Sequence, residues 1–281
     1  MKTLVTVAEL ARQLDNPLWL VADCRFSLTD VCAGYKAWLD THIPGAFHAD
    51  VNLHLSAAHI PGITGRHPLP DQEQWRQQVQ NWGITPTRQV VVYDDAGGAF
   101  AARMWWMLRW LGHENVAVLD GGWQAWNKQG LPVSTQLSTP AVNTKEMCGV
   151  RTPLTRLISA DAIDGSKHLL LDARELPRFR GESETIDPVA GHIPGARCSP
   201  FSANLDAQGC FKTGAALREK FAAAGVTTDE RDLVCYCGSG LTATHNILAL
   251  KLAGFEEPLL YAGSWSDWIT DPHRPRASGD D

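Results

Sequence analysis

The sequence predicts an α/β protein of two tandem domains, each a mainly parallel sheet flanked by helices. Three observations predict it: an internal duplication, short uniformly apolar strands, and helical patterns that follow those strands after glycine-bearing loops. His42-Ile43-Pro44-Gly45-Ala46 recurs about 150 residues later as His192-Ile193-Pro194-Gly195-Ala196. Val21-Ala22-Asp23-Cys24-Arg25 is echoed by Leu170-Leu171-Asp172-Ala173-Arg174, and Gly121-Gly122-Trp123-Gln124-Ala125-Trp126 by Gly263-Ser264-Trp265-Ser266-Asp267-Trp268. The three blocks recur in one order at nearly one spacing, which chance pentapeptide matches do not do.

Each half shares a coarse grammar. Val90 to Tyr93 and Leu233 to Tyr236 are β-branched and apolar runs bounded by Asp and Gly, the pattern of buried strands. Helical patterns follow over Ala99 to Leu111 and Leu241 to Ala253, with Gly112 and Gly254 placed as C-terminal caps. Further buried strands are expected at Val116 to Leu119 and Leu259 to Tyr261. Strands apolar on both faces, alternating with helices, argue a parallel sheet covered on both sides. The expected division is residues 1–133 for the first domain, a Ser/Thr/Pro-rich linker over 134–155, and residues 156–281 for the second.

Composition narrows the function. The 281 residues allow two domains, and 44% hydrophobic with 20% charged residues is globular composition. A net charge of −6 without a basic run disfavours nucleic acid as a partner. No apolar stretch approaches the ~20 residues that span a bilayer, and Glu9, Arg12 and Asp15 interrupt any signal-like core near Met1. A soluble cytoplasmic protein with no membrane partner is expected. Seven cysteines at irregular spacing, without a C-x-x-C pair, read as reduced thiols and not as a disulfide frame or zinc site.

One thiol stands apart. The loop Tyr236-Cys237-Gly238-Ser239-Gly240-Leu241-Thr242 aligns with Tyr93-Asp94-Asp95-Ala96-Gly97-Gly98, which sets Asp94 opposite Cys237. Ligands of open α/β sheets collect at the carboxyl ends of strands, beside helix N-termini. There, backbone N–H groups from Gly238 to Thr242 could form an anion nest, and the helix that follows would favour a thiolate. Asp94 cannot carry sulfur, so the first domain is expected to be catalytically silent. Cys24, Cys198 and Cys235 read as small hydrophobes, and Cys32, Cys148 and Cys210 carry no motif.

The paired His-Ile-Pro-Gly-Ala blocks, the Gly-Ser-Trp-Ser-Asp-Trp ending and the Cys237-Gly238-Ser239-Gly240-Leu241-Thr242 loop together resemble the tandem-domain rhodanese family. The loop is similar to that of its mercaptopyruvate-type members; thiosulfate-type members typically carry basic residues after the cysteine. The resemblance runs from about Leu18 to Trp268. It implies two rhodanese-like domains and an enzyme that moves sulfur from 3-mercaptopyruvate to a thiophilic acceptor (cyanide, a thiol or thioredoxin) through a Cys237 persulfide. It implies no metal and no organic cofactor.

The resemblance also implies roles for particular residues. Cys237 is the nucleophile, and the amides of Gly238, Gly240, Leu241 and Thr242 stabilise the persulfide and the developing enolate. Ser239 is expected to help move a proton with His42 and Asp30 of the first domain. His42 could equally be a packing residue, since His192 repeats it, and Asp30 a helix cap. Arg178 matches the first of two arginines that hold the donor's carboxylate. The second position is Asp187, of opposite charge, which opens thiosulfate as an alternative donor. Arg180 and Arg66 are potential substitutes, each read more readily as a solvated surface charge. Phosphatase chemistry is disfavoured because Ala243 stands where its arginine would fall. A non-catalytic binding module is disfavoured because Cys237 is kept.

Overall fold

The structure is a computed structural model and describes residues 2–138, 151–227 and 232–280. Most of the linker expected over 134–155, together with Cys148, lies outside the described residues. The chain forms two compact units. The first comprises Met1–Ala57, Pro70–Leu154 and Ala207–Phe211; the second comprises Ala58–Leu69, Thr155–Asp206 and Lys212–Asp281. The units therefore do not follow one cut in the sequence: Ala58–Leu69 of the first half belongs to the second unit, and Ala207–Phe211 of the second half to the first.

The first unit contains β1 (Leu4–Val5), α1 (Val7–Ala11), β2 (Trp19–Asp23), α2 (Ala33–Asp40), β3 (Phe47–His48), α3 (Gln72–Asn81), β4 (Gln89–Tyr93), α4 (Ala101–Trp110), β5 (Val116–Leu119) and α5 (Gly122–Lys128). Its five strands are parallel in the order β1-β5-β4-β2-β3. Val90, Val91, Val92 and Tyr93 of β4 are fully buried, as a central strand covered on both faces requires. Helix α3 starts where Asp71 accepts the N–H groups of Glu73 and Gln74. Helix α4 is followed by Gly112 at φ +76°, a left-handed closing position that favours glycine.

The second unit repeats this plan with β6 (Arg156–Leu157), β7 (His168–Asp172), α6 (Leu176–Phe179), β8 (Arg197–Cys198), α7 (Gly214–Ala223), β9 (Asp232–Tyr236), α8 (Thr242–Leu252), β10 (Leu259–Leu260) and α9 (Ser264–Trp268). Its strands are parallel in the order β6-β10-β9-β7-β8. The duplication extends to single bonds. Ile43 N–H donates to the Tyr93 hydroxyl and Ile193 N–H to the Tyr236 hydroxyl, each at 3.3 Å. Arg25 forks onto Asp23 beneath Trp123, and Arg174 forks onto Asp172 beneath Trp265. No helix among the described residues is long and apolar enough to cross a membrane.

The topology places Cys237. From β7 the chain proceeds to the edge strand β8, whereas from β9 it proceeds in the opposite direction to β10. The order therefore reverses between β7 and β9, where open α/β sheets bind ligands beyond the strand ends. Asp172 and Tyr236 are register partners at that end, and the next residue after Tyr236 is Cys237.

Candidate active site

Cys237 is held by its own backbone. Its N–H donates to Ser264 Oγ at 3.0 Å, and its carbonyl accepts from Trp265 N at 2.9 Å. Gly238 C=O accepts from Ser266 N at 2.9 Å, so the start of α9 clamps two successive peptides of the loop. Within the loop, Gly240 N–H donates to Cys237 Sγ at 3.1 Å. Gly240 adopts φ +80°, and a Cβ there would lie 2.2 Å from the Ala262 carbonyl, so only glycine fits. Leu241 and Thr242 begin α8, and Leu241 is buried.

The first unit shows what this loop geometry accepts. Asp94 occupies the position of Cys237, and its carboxylate receives the N–H groups of Ala96, Gly98, Phe100 and Ala101 at 2.8–2.9 Å. Burial raises the Asp94 carboxyl above its ordinary range and the four amides oppose that shift. The nest in the first unit is thus filled by the chain's own anion.

The segment Ala58–Leu69 brings two residues to the Cys237 loop. A Cβ on Gly65 would lie 2.6 Å from Gly263 O, and Arg66 N–H donates to Ser266 Oγ at 3.0 Å, which docks the segment on the clamp. Next in the chain, buried His67 places Nδ1 2.8 Å from Ser239 Oγ. His67 did not emerge from the sequence motifs; the single signal was its place beside Arg66 in the long loop of the first half.

The guanidinium groups form a cluster around Gly238. Arg178, on α6, makes a two-pronged contact with Glu184 at 2.9–3.1 Å and reaches Asp187 Oδ2 at 3.1 Å. Arg66 Nη1 pairs with Asp187 Oδ1. A Cβ on Gly238 would lie 2.9 Å from Arg66 Nη2 and 3.5 Å from both terminal nitrogens of Arg178. Burial lowers the Arg66 pKa, with Cys237 and Glu184 opposing and Arg178 and Arg174 reinforcing. Arg66 is therefore not the solvated surface charge expected from sequence, because a buried carboxylate recruits it. Arg180 is such a charge, paired at the surface with Asp280.

His42 and Asp30 lie in the first unit. His42 is fully buried, with Nδ1 2.6 Å from Trp38 O, Nε2 3.0 Å from Gln136 O, and its ring stacked on Trp38. His192 repeats the pattern, with Nδ1 2.8 Å from Phe179 O and its ring stacked on Phe179. Asp30 is exposed and accepts the Cys32 N–H at 3.0 Å, an Asx-type turn that leads into α2. Cys24 and Cys235 are fully buried, and burial pushes both thiols up; Cys198 is pushed up to about 12 by the same cause.

A model of the rhodanese-like domain matches residues 6–129 and 157–271. The chain belongs to the rhodanese family and carries two copies of its domain. It is 50% identical to a probable 3-mercaptopyruvate sulfurtransferase of Pseudomonas aeruginosa, over 99% of this chain and 98% of that one. It is 38% identical to a putative thiosulfate sulfurtransferase of Mycobacterium tuberculosis over the same shares, 99% and 98%. The solved structure of 3-mercaptopyruvate sulfurtransferase from Leishmania major matches with a TM-score of 0.83 at 31% identity, covering 98% of this chain and 75% of that one. The protein is a sulfurtransferase of the 3-mercaptopyruvate/thiosulfate type.

Proposed function

We propose that the protein transfers sulfur from 3-mercaptopyruvate to a thiol acceptor, with thioredoxin a candidate, through a persulfide on Cys237. The Cys237 thiolate attacks the donor sulfur, the carbon–sulfur bond breaks, and its electron pair passes to the carbon fragment as the enolate of pyruvate. The proton that left the donor thiol ends on that enolate, so atoms and charge balance as persulfide plus pyruvate. An acceptor thiolate then takes the outer sulfur and releases Cys237 as thiolate. Splitting one transfer into two steps predicts ping-pong kinetics.

The observation that carries this reading is the Gly240 N–H on Cys237 Sγ, in a loop whose duplicate gathers four amides on a carboxylate. Such amides favour negative charge on sulfur and on the leaving enolate. The His67–Ser239 contact supports the proton transfer, with His67 in the role expected of His42, whose two nitrogens both face backbone carbonyls. Mercaptopyruvate, with one carboxylate, suits the cluster better than dianionic thiosulfate, because Glu184 and Asp187 already offset Arg66 and Arg178. Six described cysteines are free, which suits a reducing cytoplasm.

Intact mass spectrometry after 3-mercaptopyruvate without acceptor tests the reading. One added sulfur is expected on the native protein and none on Cys237→Ser. Absence of the adduct with this donor, or its persistence in the variant, overturns it.

A further inference from the structure

We propose that Arg66 is a donor-binding residue, which together with Arg178 holds the donor's carboxylate beside the Cys237 loop, and that Asp187 is the positioning residue that keeps Arg66 there. The inference rests on the mercaptopyruvate reading above and adds a specificity determinant from a segment distant in the chain.

Four observations carry it. The atoms nearest a Cβ built on buried Gly238 are guanidinium nitrogens, Arg66 Nη2 at 2.9 Å and the two of Arg178 at 3.5 Å. Gly238 is the residue next to the sulfur nucleophile, so an anion held there sits within one residue's reach of Cys237. Arg66 is only partly committed: Nη1 pairs with Asp187, whereas Nε is buried without a hydrogen-bond partner. A buried unpaired donor is costly, and an incoming carboxylate would relieve that cost. Finally, Asp187 is itself fixed. Its side chain is 1% exposed and bridges Arg66 and Arg178, while its N–H donates to Glu184 Oε1 at 3.0 Å.

The charge arithmetic agrees. Arg66, Arg174 and Arg178 face Asp172, Glu184 and Asp187, three cations against three carboxylates. Asp187 lets a second guanidinium approach Arg178 without net repulsion. It engages Nη1 of Arg66 and Nη2 of Arg178, while Arg66 Nη2 and Arg178 Nη1 lie against Gly238.

The test pairs two donors, 3-mercaptopyruvate and mercaptoacetone, which carries the same thiol and ketone but no carboxylate. For Arg66→Gln we expect kcat/KM for mercaptopyruvate to fall about 10- to 100-fold, mainly through KM, and that for mercaptoacetone to change less than about threefold. Arg66→Gln/Asp187→Asn, which strands no buried charge, should show the same selective loss. Asp187→Asn alone should raise KM for mercaptopyruvate more modestly. The exchange Arg66→Asp/Asp187→Arg should recover part of the preference, because a guanidinium returns to the pair. Equal loss with both donors in the double variant would assign Arg66 a purely structural role and overturn the proposal. An unchanged KM in Arg66→Gln would overturn it as well. If the native protein forms no persulfide with mercaptopyruvate, the donor reading fails; if it does and Arg66→Gln is silent, only the role of Arg66 fails.

Discussion

Ser264 accepts the backbone N–H of Cys237 at 3.0 Å while itself standing at φ +56°, the one non-glycine residue at positive φ among those described. Its counterpart in the first unit is Gly122 at φ +52°, where a Cβ would collide with Asp94 O at 2.3 Å. The second unit thus tolerates a strained serine that fixes the Cys237 peptide. Ser264 Oγ also donates to Tyr261 O at 3.0 Å, which orients the hydroxyl. Strain of this kind costs on the order of 1 kcal/mol and persists where surrounding contacts hold it. Ser264→Ala keeps the strain and strands a buried amide, so a loss of about 2 kcal/mol is expected. Ser264→Gly sheds the strain and should cost about half of that. Chemical denaturation of the two variants checks the order, and a glycine variant less stable than the alanine one would refute it.

His67 and His42 should separate in kinetics. His67→Phe removes the partner of Ser239, and kcat with 3-mercaptopyruvate should fall about 100-fold, the low end for general acid–base catalysis. With thiosulfate, where no carbon is protonated, the fall should be smaller. His42→Gln should lower stability, since its ring bridges two carbonyls and stacks on Trp38, and should leave kcat of the folded enzyme within about threefold. Steady-state rates with both donors, alongside melting curves, distinguish the two histidines. The assignment fails if His42→Gln alone abolishes turnover.

The fold was legible because its signals are local. Val90 to Tyr93 and Leu233 to Tyr236 are read from a few adjacent residues, and the repeated Asp-x-Arg and His-Ile-Pro-Gly-Ala blocks mark the same buried contacts in each unit. Cys237 was legible for the same reason, as the one loop position where the copies diverge from carboxylate to thiol. His67 was not, and Arg66 read more readily as a surface charge, because their partners Ser239 and Asp187 lie 172 and 121 positions away. No period or motif encodes which unit Ala58–Leu69 joins. His67 sits in no repeated block, whereas His42 does, and the duplication of His42 in His192 is the mark of a packing residue.

Asp94 should be a stability residue of the first unit. Asp94→Ala would leave four N–H groups of the loop and the start of α4 without their carboxylate, and a cost of about 3 kcal/mol is expected. Asp94→Asn retains an acceptor oxygen and should cost less. Neither change touches the Cys237 loop, so kcat of the folded protein should hold. Denaturation midpoints for the pair provide the check, and an alanine variant as stable as the parent would show that the nest needs no anion.

Acid should weaken the first unit through its buried histidines. His113 is 1% exposed, with Nε2 3.1 Å from Asn115 O, and burial pushes its pKa down to about 4. Burial also lowers the pKa of His48 and His54. An unfolded chain takes up a proton near pH ~6.5 that folded His113 refuses until about pH 4. Stability is therefore whole above the unfolded pKa and falls as pH drops through that window, by about 3 kcal/mol for this residue at most. Urea denaturation at intervals from neutral pH down to that range should show the decline. His113→Gln should be less stable at neutral pH but should flatten the slope, because the proton uptake that drives it is gone. Parallel slopes for variant and parent would place the acid sensitivity elsewhere.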